Sequence, residues 1–241
     1  MFALGDMPAI AKLMCMKGVN GKYPCHACKL LAVSNNSPVP AGQKAGKQSR
    51  YPALQCPDGF SYDPLALPLC THSEFIAQAA QVDKALNKTT QDTQAKEFGI
   101  NGLPTLTSLP SLSFPASFPH DFMHIIENII PVLVDHWTGK FKGLDTGSED
   151  YELMPLVWAA IGCGCVESSS TIPSSFGCRN MVPFCHHPGF HVQRRFKKKT
   201  YYDHFILLVK LIHKCLQFQL STDEINDIEQ GFAKWVEDYE R

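Results

Sequence analysis

The chain has 241 residues, of which 44% are hydrophobic and 19% charged, with a formal net charge of −1. That length and balance support a buried core of one large domain or two small ones, and exclude a chain disordered throughout. Near-neutrality excludes the global basic field of many nucleic-acid binders, so any DNA affinity has to come from local patches.

Residues 1 to 5 (MFALG) read as the end of an apolar strand whose beginning is cut off. Asp6 then precedes a helix start marked by Pro8, with Met7, Ile10, Leu13 and Met14 at helical spacing and an end near Gly18. Gly21 and Pro24 mark a turn before Cys25-His26-Ala27-Cys28. Residues 34 to 64 are rich in Ser, Asn, Pro, Gly and Lys and read as a long loop. Thr71 and Glu74 form a capping-box pattern that opens a helix through about Leu86. Residues 99 to 119 hold four prolines and little periodicity, the pattern of an irregular connector.

From Asp121 a helix is predicted to about Trp137, with Met123, Ile126, Ile129, Ile130, Leu133 and Trp137 on one face and a kink at Pro131. A further helix is expected to include Tyr151 to Ile161, whereas residues 162 to 192 have no clear period. Phe205, Leu208, Val209, Ile212, Cys215 and Leu216 form one apolar stripe. Ser221 and Glu224 give a second capping box, followed by Ile225, Ile228, Phe232, Trp235, Val236 and Tyr239. Two antiparallel amphipathic helices are the expected result. The closing EDYER carries no terminator and reads as a chain cut in mid-helix. No internal repeat is visible.

The first residues lack a signal-peptide pattern, and no run approaches the roughly 18 to 20 apolar residues of a membrane span. The ten cysteines are therefore read as reduced thiols of a soluble, intracellular chain. Cys25 and Cys28, with C-x2-C spacing after a glycine-bearing turn, can grip one zinc between two thiolates; two buried free thiols are the other reading. His26 between them would point away from a shared metal. Further candidate ligands are Cys56, Cys70 and the cluster Cys178, Cys185, His186, His187 and His191, whose spacing matches no known pattern.

Asp6, between a strand end and a helix start, can hold a divalent ion at a sheet edge or cap the helix; both roles are compatible. His124 and Glu127 lie one turn apart and can share a site or form the polar edge of a core-facing helix. Arg194, Arg195, Lys197, Lys198 and Lys199, interleaved with Phe196, Tyr201 and Tyr202, form the basic-aromatic cluster. It can contact DNA phosphates, serve as an import signal, or be a solvated helix approach. No Gly-rich phosphate loop and no serine nucleophile elbow is present.

Taken together, several strings resemble a known family. GDMPAIAKLMCMKGVNGKYPCHACKL is similar to the segment of CACTA-type (En/Spm) DNA transposases around their second catalytic aspartate. SLPSLSFPASFPHDFMHIIENIIPVLVDHWTGKFKGLD resembles the Met-His segment of fungal members. TIPSSFG and the stretch from RRFKKKTYYDHF to the end extend the likeness over most of the chain. The resemblance implies a mainly α chain, the helical insertion of an RNase H-like transposase core with only a remnant of the β-sheet at the N-terminus.

Under that resemblance residues 1–31 would be the core remnant, 32–70 an irregular loop, and 71–241 the insertion, disrupted near 178–193. Asp6 would be the second member of an Asp-Asp-Glu triad binding Mg or Mn. Cys25 and Cys28 would be half of a zinc site completed by a His pair close before the catalytic Glu. His124 would be structural or near the site. The implied partners are transposon-end DNA and other transposase chains, not a membrane, and the implied compartment is the nucleus. The first Asp and the final Glu are expected outside these residues, so the chain alone is expected to be inactive. The alternative is a zinc-stabilised protein- or DNA-binding module without catalysis.

Overall fold

A computed structural model describes residues 2–34, 50–141, 149–154 and 196–240. It divides into two compact units, Met1–Asp121 with Glu240 and Phe122–Tyr239 with Arg241. Among the described residues the protein is mainly helical, with six α-helices and one two-stranded sheet. None of the described helices is long and apolar enough to cross a membrane.

The first unit opens with an extended segment that forms no strand, contrary to the expected sheet remnant at residues 1 to 5. A strand needs a ladder, and no described strand pairs with this segment; Ala3 N–H donates to the Ser117 carbonyl at 2.8 Å. Phe2 and Leu4 are accordingly 72% and 76% exposed. Helix α1 (Met7–Leu13) follows, with Asp6 as its N-cap. Instead of continuous loop over 34–64, β1 (Ala32–Ser34) pairs antiparallel with β2 (Arg50–Pro52), Val33 opposite Tyr51.

Helix α2 (His72–Asp83) begins at the predicted cap, where Thr71 accepts from Glu74 N–H, and stops before Leu86. Helix α3 (Lys88–Phe98) has no counterpart in the apolar periodicity, because it is mostly polar and buries only Ala95. Its ends carry the signals instead. Asn87 caps the start, and Gly99 at φ 73° supplies the left-handed residue that closes the end. The expected irregular connector contains a short 3-10 turn at Thr105–Ser108.

The core gathers Ile10, Met14, Phe75, Ala79, Ile100, Leu112, Phe114 and Phe118. Phe114 lies parallel to Phe75 at 5.2 Å between ring centres, and Phe118 lies 4.9 Å from Phe114. This compact unit extends across the expected boundaries at 31 and 70, since Ile10 and Met14 pack with residues of α2 and the connector.

In the second unit α4 (Phe122–Trp137) buries Ile126, Ile130, Leu133 and Trp137, while Met123 stays 49% exposed. The helix continues through Pro131, which lies on its exposed side. Of the helix expected over 151–161, residues 151–154 are a turn and irregular chain, and the remainder lies outside the described residues. Helices α5 (Lys199–Cys215) and α6 (Thr222–Glu240) form the predicted antiparallel pair. Lys214 bridges Asp227 near the turn, and at the far end the His204 ring stacks on Trp235 at 4.7 Å. The second capping box is complete. Glu224 N–H donates to Ser221 Oγ at 3.3 Å, and Ser221 N–H donates to Glu224 Oε2 at 2.8 Å.

His204 gives this unit a pH response. Its Nε2–H donates to the Trp235 carbonyl at 2.9 Å, yet burial holds the ring below its ordinary value of 6.5. The unfolded ring therefore takes up a proton before the folded one does. Stability from this group is full above about pH 6.5 and falls as pH drops towards the folded pKa. Urea midpoints of the second unit should decline over that acid window, and His204→Gln should flatten the decline. An unchanged slope in the variant would assign the effect elsewhere.

Candidate metal centre

Among the described residues, the strongest concentration of reactive side chains lies in the first unit around the C-x2-C turn. Cys25 Sγ accepts backbone N–H groups from both Ala27 and Cys28 at 3.4 Å. Two amides aimed at one sulfur stabilise a thiolate there and fix the turn that brings the second cysteine round to it. Residues 27–29 run antiparallel to 68–70. Lys29 N–H donates to the Pro68 carbonyl at 2.8 Å, Cys28 bridges to Leu69, and Cys70 N–H donates to the Ala27 carbonyl at 2.9 Å. Cys70, immediately before the Thr71 cap of α2, is thereby pinned beside the turn.

The end of the connector closes the other side. His26 is buried, and its Nε2–H donates to the Phe118 carbonyl at 2.7 Å. Its ring packs on that of His120, with 4.2 Å between centres. His120 Nε2 in turn lies 4.0 Å from Cys25 Sγ. A cleft of about 270 Å³ beside the group is lined by Cys25, His26, Cys70 and Glu74, among others.

The two thiols of the turn are shifted in opposite directions. A hydrogen bond from Cys28 pulls the Cys25 thiol well below its ordinary value; burial opposes the shift, and His120 adds to it. Cys28 is pushed up by the same bond, in which it is the donor, and by burial. Burial and the nearby Cys25 charge raise Cys70 to about 11. Burial, with the neighbouring His120, lowers His26. In metal-free protein, Cys25 is expected to alkylate with iodoacetamide at mildly acidic pH, where Cys15 and Cys215, both raised by burial, do not react. Peptide mapping reads the site; equal labelling of all three would contradict a selective thiolate.

The other predicted site residues are placed as follows. Asp6 Oδ1 accepts Ala9 N–H at 2.7 Å, so the capping role is realised. His124 is exposed on the first turn of α4, as is Glu127 one turn on. Cys56 is buried, with its N–H bonded to the Phe60 carbonyl. Arg194, Arg195 and the cluster Cys178, Cys185, His186, His187 and His191 lie outside the described residues.

The lysines of the basic cluster are engaged internally. Lys197 Nζ donates to the Glu149 carbonyl at 3.0 Å, Lys198 pairs with Asp150, and Lys199 pairs with Asp203 four residues on. Of the interleaved aromatics, Phe196 is buried and edge-on to Trp137, and the half-buried Tyr201 is edge-on to Tyr151.

Among the described residues, no group of three or more His, Cys, Asp and Glu side chains can hold a metal ion as it stands. Asp6 thus lacks the companion carboxylates of a divalent-metal centre within these residues. The thiol pair fits half of a zinc site. His120 is the member that sequence reading missed, because no motif spacing connects it to Cys25 or Cys28. No family model, curated protein or solved structure matches the chain.

Proposed function

We propose that this chain is part of a cut-and-paste DNA transposase, contributing a helical body and one metal-binding aspartate rather than a complete active site. The reading is supported first by the long strings around Asp6, Cys25/Cys28 and His124 that resemble CACTA-type transposases. The observation that carries it in the fold is the placement of Asp6. The carboxylate sits at the mouth of α1, directly after an extended segment, with one oxygen on Ala9 N–H. The other oxygen points to no protein donor among the described residues and is available to a divalent ion. In the assembled parent, Asp6 would be one of the carboxylates that hold Mg or Mn, the ion that supplies the charge stabilisation of phosphoryl displacement. The chain's own part is to hold Asp6 at a fixed helix terminus. By itself it cleaves no DNA, and its place of work is the nucleus.

Flanking coding sequence, read in frame, is expected to supply an aspartate upstream and a glutamate downstream. The joined protein is expected to nick duplexes that carry the element's terminal repeats, and Asp6→Asn is expected to abolish nicking. Flanks without those carboxylates, or nicking indifferent to Asp6, would end this reading.

The amide-capped Cys25 favours a second reading, a zinc-stabilised protein- or DNA-binding module without catalysis. It predicts zinc in the purified chain that is lost on Cys25→Ser.

A further inference from the structure

We propose that Cys25, Cys28, Cys70 and His120 form one closed structural zinc site that ties the C-x2-C turn, the start of α2 and the end of the proline-rich connector together. This names the ligand set of the zinc-module reading and rests on its C-x2-C turn. It does not depend on the role of Asp6.

The turn is built in advance. Two backbone amides, one of them that of Cys28 itself, converge on Cys25 Sγ. A tetrahedral zinc requires sulfurs roughly 3.8 Å apart and a sulfur-to-imidazole distance of roughly 3.6 Å, given its usual bond lengths. The observed 4.0 Å from Cys25 Sγ to His120 Nε2 is close to that value. The third thiol comes with a fixed backbone, since Cys70 N–H is bonded to the Ala27 carbonyl inside the turn itself. His120 is also supported from behind, its ring held against His26, which is anchored on the Phe118 carbonyl.

No three of these side chains already stand as a metal-binding group. Side-chain rotation of Cys70 and His120 is required to complete the set, with the Cys70 backbone already fixed on Ala27. Three thiolates and one imidazole, with no carboxylate, are a soft donor set that selects zinc over magnesium or calcium. Four protein ligands leave no open position for a substrate, so the metal is a staple rather than a catalyst. Zinc binding would displace the thiol protons and exchange the Cys25–Cys28 hydrogen bond for two metal–sulfur bonds, with no change in oxidation state.

The test uses the full chain purified under reducing conditions. Roughly one zinc per chain is expected by elemental analysis, and the cobalt-substituted protein should show thiolate charge-transfer and tetrahedral ligand-field bands. Cys70→Ser and His120→Ala should each weaken zinc retention against a chelating dye by at least the roughly 10- to 100-fold that even an outer-shell change costs. His120→Cys should retain zinc with a four-thiolate cobalt spectrum, which separates ligand loss from misfolding. Cys215→Ser, on a helix of the other unit, should retain it unchanged.

Metal-free protein would overturn the proposal, as would a Cys25–Cys28 disulfide in place of bound zinc. If Cys25→Ser lost zinc while the Cys70 and His120 variants kept it, the C-x2-C turn would stand and this ligand set would fall.

Discussion

Phe114→Ala is expected to destabilise the first unit by about 3–5 kcal/mol, the usual cost of emptying a fully buried aromatic site. Phe114 is 1% exposed and packs between two further buried rings, parallel to Phe75 on α2 and 4.9 Å from Phe118. Truncation removes the apolar area of the ring and leaves a hole that neither neighbour can fill, since each is already buried in the same core. Its backbone adds a second constraint, because Phe114 N–H donates to His72 Nδ1 at 2.9 Å in the first turn of α2.

The consequence reaches the candidate metal centre through one residue. Phe118 loses its packing partner, and it is the Phe118 carbonyl that anchors His26 beneath His120. Hydrogen exchange followed by mass spectrometry on the full chain should show faster exchange in peptides of α2 and of residues 112–121. The second unit, with its separate hydrophobic cluster, serves as the internal reference. Phe114→Leu should recover much of the protection, since it restores most of the volume. A loss below about 1 kcal/mol would mean that the aromatic stack is not what holds this core.

The helices of this fold that were legible in sequence are those with an apolar stripe, a capping box, or both. α6 shows both, with Ser221 and Glu224 bonded reciprocally; α5 shows a stripe, and α2 shows a cap in which Thr71 accepts from Glu74 N–H. α4 was legible from its stripe alone. α3 was not, because KTTQDTQAKEF buries a single alanine and is held by its Asn87 and Gly99 termini. The expected strand at residues 1 to 5 failed for the opposite reason. Apolar side chains can suggest a strand, but only a partner makes one, and pairing is not written in local sequence.

The site divides along the same line. C-x2-C is a local pattern, and the structure gives it the amide-to-sulfur geometry that pattern implies. Cys70 was only one cysteine among several candidates until the antiparallel contact of 27–29 with 68–70 singled it out. His120 reaches Cys25 through the long connector, a contact that depends on where Phe114 and Phe118 bury. The basic-aromatic cluster is only partly described. In RRFKKKTYY the described lysines bond Glu149, Asp150 and Asp203 at the surface, Phe196 belongs to the core and the two tyrosines pack against it.

Leu208→Ala is expected to cost the second unit about 2–5 kcal/mol, whereas Lys210→Ala, two positions on, should stay within about 0.5 kcal/mol of the parent. The contrast follows from helical geometry. Phe205, Leu208, Val209, Leu211 and Ile212 all face inward from α5, and Leu208 is fully buried at 0% exposure, while Lys210 is exposed. Positions one turn apart along this face make one continuous apolar surface, so removing its central member opens a cavity that the flanking side chains cannot close without leaving their rotamers.

The close approach of α6 sharpens the point. A Cβ built on Gly231 would stand 2.4 Å from Leu211 Cδ2, so α5 and α6 are already in tight contact along this face. Relaxation into the new space would have to drag α6 and its Trp235–His204 stack along with it. Urea unfolding followed through Trp137, which lies edge-on to Phe205 at 4.9 Å, reports on this core directly. A midpoint shift equal for the two variants would show that the α5 stripe is not the core of this unit. Restoration by Leu208→Met, which keeps the volume, would identify packing rather than helix propensity as the cause, since alanine is the better helix former of the two.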